Sequence, residues 1–138
     1  MAPLFSSNSP IVILSGLKVS SIEIVEVEST LPVPSDIKAR FNYKLKEFLY
    51  RDGLFQEGPD MRIEYRFIQI KKPGLWDSES WGPAWERGQS LSVETKYLDS
   101  HGEELSVISV ECKGSKLKDA AERAASLVAK FTKQNFGK

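Results

Sequence analysis

The stretch MRIEYRFIQI (Met61 to Ile70) constrains the fold more than any other ten residues of this chain. Met61, Ile63, Tyr65 and Phe67 fall on one side of an extended backbone and Arg62, Glu64 and Arg66 on the other, because successive strand side chains point to opposite faces. One face requires a core and the other requires water. A strand of that kind belongs to a sheet covered on one side only, which is common among antiparallel sheets. The cover must come from elsewhere in the 138 residues.

Two segments can supply it. Ser35 stands where an N-cap belongs, and Ile37, Phe41, Leu45, Phe48 and Leu49 follow at helical spacing until Asp52-Gly53 closes the helix. A second helix is predicted from about Lys116, capped by Ser115 after Gly114. Its apolar stripe is Leu117, Ala121, Ala124, Val128 and Phe131, with Leu127 beside it. The alanines imply close approach to a sheet. Phe41, Leu45, Phe48, Ala124 and Val128 are expected in the core.

Three further strands complete the pattern. LKVSSIEIVEVE (Leu17 to Glu28) is rich in β-branched residues, but its apolar set changes phase between Ile24 and Val25, which requires a bulge or burial on both faces. LPVP (Leu31 to Pro34) ends it. Leu91 to Leu98 and Leu105 to Cys112 flank Asp99-Ser100-His101-Gly102-Glu103, which reads as a hairpin turn. The order predicts an α+β protein, a β-α-β-β-β-α sandwich whose mostly antiparallel sheet carries two helices on one face. Residues 1–16, rich in Ser, Asn and Pro at their start, read as a flexible N-terminal segment, and 17–136 as a single domain.

Charge and chemistry narrow the function classes. Nineteen basic residues balance nineteen acidic ones, so no overall field attracts nucleic acid. Cys112 has no disulfide partner and reads as a small apolar strand residue; with one Cys and one His the expectation is no metal. His101 reads as an exposed turn residue rather than a general base, since no nucleophile stands near it in the pattern. Scattered glycines lack phosphate-binding spacing, and no cofactor is expected. The start, MAPLFSSNSPIVILSG, lacks the basic opening and unbroken apolar run of a signal peptide, so the expectation is a cytosolic protein or one whose leader is not in this chain.

All three tryptophans lie in LWDSESWGPAWERG (Leu75 to Gly88), whose Gly, Pro, Ser and Asp make it a loop. Two readings stand: a lid folded against the open side or edge of the sheet, or an aromatic docking surface. The candidate binding residues are Trp76, Trp81, Trp85 and Arg87. Trp85 and Arg87, near the strand that begins at Leu91, are expected against the sheet, and Trp76 and Trp81 toward solvent. Asp77, Glu79 and Glu86 add carboxylates, so the alternative function is a small carbohydrate-binding or hydrolytic protein built on loop 75–88. No catalytic residue is assigned, and the expectation is that the protein is not an enzyme.

RDGLF after the first helix, the KPG turn, the Gly- and Arg-containing loop, YLDSHGEEL, the GS element and a final helix ending KQNF together resemble a family of bacterial envelope proteins of unknown function. Many of its members are lipoproteins, and the domain is similar to those of periplasmic assembly factors such as the curli-export lipoprotein. The resemblance spans roughly Leu17 to Phe136. It rests on Gly53, Pro73, Gly74, Arg87, Gly88, Asp99, Gly102, Gly114 and Ser115. The glycine cluster typical before the last helix is missing, as are a leader and a lipid-acceptor cysteine near the start. The resemblance implies a noncatalytic, lipoprotein-like envelope domain, periplasmic or outer-membrane-associated, working by self-association or through a protein partner. Membrane association would then need a lipid anchor absent from this chain.

Overall fold

The computed structural model of the protein describes residues 17–29, 31–71 and 89–137. Its elements run β1 (Ser21–Glu26), α1 (Ser35–Tyr50), β2 (Gln56–Glu57), β3 (Met61–Lys71), β4 (Gln89–Asp99), β5 (Glu104–Gly114) and α2 (Leu117–Phe136). The α+β arrangement is the expected one, with both helices on one face of a sheet ordered β2-β1-β3-β4-β5. The sheet differs from expectation in two respects. It has a fifth, two-residue strand, β2, and it is mixed: the long strands β3, β4 and β5 pair antiparallel, whereas β1 runs parallel to both β3 and β2. Helix α1 lies in the connection that a parallel β1–β3 pair needs, since a tight turn cannot join parallel neighbours.

The alternation of β3 holds as far as Phe67: Met61, Ile63, Tyr65 and Phe67 are fully buried. The register against β4 then shifts between Phe67 and Gln69, which returns Ile70 to the core side. A β-bulge is thus what Phe67-Ile68-Gln69-Ile70 encodes when its apolar phase changes. The similar phase change in β1 has the other cause. Pairing from Ile22 to Glu26 is unbroken, and Ile24 and Val25 are each half-buried on opposite faces.

Helix α1 lays Ile37, Phe41, Leu45 and Leu49, one per turn, onto the sheet. Phe41 meets Tyr65 at 4.7 Å and Phe67 at 5.5 Å between ring centroids. Phe48, expected inside, is only half-buried. It sits beside this stripe and lines a groove with Ala129, Lys130 and Lys133 of α2. In α2 the buried alanines 120, 121, 124, 125 and 129 allow the close approach that the sequence implies. A second aromatic cluster joins the far ends, with Tyr97 at 5.4 Å from Phe131 and 5.2 Å from Phe136. The Tyr97 hydroxyl pairs with Thr132 Oγ1 at 2.7 Å, and Thr132 in turn donates to the Val128 carbonyl.

The helix starts correct two expectations. Neither Ser35 nor Ser115 caps through its side chain. Ser35 is the first helical residue, and the Pro34 carbonyl accepts from the Ile37 and Lys38 amides. Lys116 holds the cap position of α2, while Ser115 Oγ donates to the Asp119 carboxylate at 2.9 Å. The turns are as read: Gly53 and Gly102 adopt φ of 78° and 85°, where a Cβ is costly. Asp99 accepts from the amides of Glu103 and His101, and those bonds hold its carboxyl below the ordinary carboxylate range.

Two core hydroxyls, Thr95 Oγ1 and Ser106 Oγ, have no hydrogen-bond partner among the described residues, and Thr95 is the one with an isosteric apolar replacement. Thr95 Oγ1 is fully enclosed on the helix side of β4, opposite Tyr65 and Ile108. Thr95→Val preserves the branch and removes the stranded polar atom, so we expect it to stabilise the fold by about 1 kcal/mol. Urea unfolding checks this, and a loss of stability would contradict it.

Candidate functional site

The helix-free face of the sheet carries the charges that the alternation places there. Arg62 Nε donates to Glu23 Oε1 at 3.1 Å and its guanidinium also reaches Glu64, while Arg66 Nε donates to Glu94 Oε1 at 2.9 Å. These pairs tie β1, β3 and β4 side to side. Each is partly in water, where solvent screening leaves an ion pair little net stabilising effect. The wet face expected from sequence is therefore an ion-paired surface rather than a set of free charges.

A cleft opens where that sheet meets the end of α1. It is about 530 Å³ and lined by Glu23, Ile24, Lys46, Tyr50, Glu57, Gly58 and Pro59. Its shape follows from the shortness of β2. Gln56 and Glu57 pair with Ser21 and Ile22, after which Gly58-Pro59 turns the chain away, and among the described residues nothing covers that edge of β1 from Glu23 onward. The turn is firmly held. The Asp60 amide donates to Ser21 Oγ at 3.1 Å, the Ser20 amide donates to Asp60 Oδ2 at 3.2 Å, and a Cβ on Gly58 would come within 2.6 Å of Ser21 Cβ.

Tyr50 is the centre of this cleft. Its hydroxyl donates to the Ile22 carbonyl at 2.6 Å, and the same oxygen accepts from the Gly58 amide. Burial, reinforced by the nearby negative charges of Glu57 and Glu23, pushes the phenol up to about 12. The shift keeps it a protonated donor to the backbone well into alkaline solution. The other polar groups are two carboxylates, one of them paired with Arg62, and the Lys46 ammonium. Chemically, the arrangement offers a charged, hydrogen-bonding concavity beside a strand edge that no described residue covers.

Sequence reasoning missed this cleft because its parts come from three separate elements. The one local signal is Phe55-Gln56-Glu57 between Gly53 and Gly58-Pro59, a short extended run between two turn signals. The site residues chosen from sequence, Trp76, Trp81, Trp85 and Arg87, lie outside the described residues, as do Pro73, Gly74 and Gly88. Among the described residues, no group of His, Cys, Asp and Glu side chains could hold a metal ion. The Cys112 thiol is buried and pushed up to about 11, chiefly by burial. No helix is long and apolar enough to cross a membrane among the described residues.

No family model and no curated protein matches the chain. Solved structures do. The PelC dodecamer from Paraburkholderia phytofirmans is 13% identical with a TM-score of 0.60, covering 88% of this chain and 93% of that one. A single-substitution variant of that PelC dodecamer is 15% identical with a TM-score of 0.56, covering 88% and 91%. A minor lipoprotein from Acinetobacter baumannii is 9% identical with a TM-score of 0.51, covering 86% and 94%. At such identities the likeness establishes a shared α+β fold.

Proposed function

We propose that this chain is a noncatalytic, lipoprotein-like domain of the bacterial cell envelope, periplasmic or outer-membrane-associated, which acts by associating with copies of itself or with another protein. The observation that carries the reading is the fold shared over 88% of the chain with a protein crystallised as a dodecamer. The likeness to a minor lipoprotein supports the envelope setting. The one phenol of the cleft is already engaged with a backbone carbonyl at 2.6 Å, which fits a structural role for it. Membrane attachment, on this reading, comes from a lipid anchor rather than from a spanning segment of the described domain.

Two measurements on the same preparation test it. Sedimentation velocity over a wide concentration range should show reversible association, or association once a partner is added. Titration with soluble glycans should leave tryptophan fluorescence unchanged. A saturable fluorescence shift with glycan, or glycan cleavage, would overturn the reading in favour of a carbohydrate-directed protein.

A further inference from the structure

Strand β5 is the outermost strand on its side of the sheet. All of its eleven residues but Leu105 pair with β4, and among the described residues nothing pairs with its outer edge. An edge strand offers alternate backbone N–H and C=O groups to any extended chain, and proteins commonly guard such edges with charge, proline or a bulge. Here the guards stand only at the ends. A register shift sets Leu98 opposite Glu104 and leaves Leu105 out of the ladder, and the charges are Glu104, Glu111 and Lys113. Ser106, Val107, Ile108, Ser109 and Val110 between them carry no charge, proline or glycine. The other edge differs: β2 covers the start of β1, and Glu23, Glu26 and Glu28 mark the remainder.

We propose that β5 pairs antiparallel with β5 of a second copy about a two-fold axis, joining two five-stranded sheets into one. This rests on the reading that the chain works by association, and it names the surface. A two-fold axis normal to the sheet keeps each face on its own side, so every residue must meet one from the same face. Register against β4 puts Val107, Ser109, Glu111 and Lys113 on the ion-paired face, opposite Lys96, Glu94, Ser92 and Ser90. Past the bulge at Leu105, Glu104 lies on that face too, opposite Leu98.

Charge then selects the register. Centred on Ser109, the pairing sets Ile108 opposite Val110, Val107 opposite Glu111 and, across the bulge, Glu104 opposite Lys113, an opposite-charge pair made twice by symmetry. Moved by one residue to centre on Ile108, it sets Glu104 opposite Glu111, and like charges directly across a ladder are destabilising. Centred on Val107 or Val110, it leaves Glu104 without Lys113. Centred on Cys112, it sets Glu111 opposite Lys113 but overlaps only Val110 to Gly114 within the strand. The register centred on Ser109 alone joins an opposite-charge pair to pairing along nearly the whole strand, which is why the occupant assigned to this edge is a second copy.

The test is sedimentation velocity on the full chain and three variants. Ser109→Lys places two ammonium groups opposite each other at the axis, while within one copy the introduced ammonium would face Glu94 and leave the fold intact. Wild type should sediment as a dimer or a multiple of one. Ser109→Lys should be monomeric with unchanged circular dichroism. Glu104→Lys should weaken association several-fold, and adding Lys113→Glu should restore it. This charge exchange decides the matter even if Ser109→Lys does not fold. Association unaffected by these variants would overturn β5 pairing and leave the association reading intact. A wild type that is monomeric at every concentration would overturn both the pairing and self-association itself.

Discussion

Replacing Leu45 by alanine should lower the unfolding free energy by about 2–5 kcal/mol, the range for a large-to-small change in a packed core. Leu45 is fully buried in the middle of the α1 stripe, one turn from Phe41 and one from Leu49, both also fully buried. It stands at the layer where α1 packs against sheet and α2 together, so the void has no side open to water through which neighbours can collapse. The same substitution at half-buried Phe48 removes more atoms but should cost less, because that ring borders a groove and its neighbours already contact solvent. Urea unfolding of the two variants compares them directly. A Phe48→Ala variant less stable than Leu45→Ala would show that α1 is rotated relative to the packing described.

The second large effect is with pH. Three of the four tyrosines, Tyr50, Tyr65 and Tyr97, have phenols raised above their ordinary value near 10, each chiefly by burial, Tyr50 and Tyr65 to about 12. Negative neighbours push the same way, Glu57 and Glu23 at Tyr50 and Glu26 at Tyr65. In the unfolded chain these phenols ionise near pH 10, whereas in the folded chain they remain neutral. The unfolded state therefore loses protons first, and stability present below pH 10 is lost as pH rises through the folded values. The urea midpoint should decline steadily between about pH 10 and 12. Tyr65→Phe isolates the contribution of one phenol: its decline should be shallower than that of the wild type. Equal slopes would mean that Tyr65 ionises freely in the folded protein.

What the sequence reveals of this fold depends on how local the signal is. The one-sided strand at Met61–Phe67, the Asp52-Gly53 stop and the Asp99 hairpin are legible because each depends on neighbours in the chain: alternation, a positive φ, a carboxylate bonding its own turn. Strand direction is not local. Alternation looks the same in a parallel or antiparallel pair, so the parallel docking of β1 against β3 left no mark in its residues. β2 is two residues long, too short for a period. Ser35 and Ser115 have the right chemistry for caps but sit beside the cap positions, where Pro34 and Lys116 supply backbone carbonyls instead. The cleft at Tyr50 was invisible for the same reason as the strand direction: Glu23, Tyr50 and Glu57 come together only when β2 stops short. The bulge in β3 was legible in principle, since two apolar residues in succession, Phe67 and Ile68, are its trace.

If β5 pairs with β5 of a second copy, as proposed, hydrogen exchange along that edge should depend on protein concentration. Amide exchange measured on the wild-type chain at low and high protein concentration should show protection rising with concentration at Ser106–Val110 in β5, while α1 and α2 exchange at the same rates throughout. Protection in β5 that does not change with concentration, at concentrations where the protein is associated, would contradict it and place the contact elsewhere on the molecule.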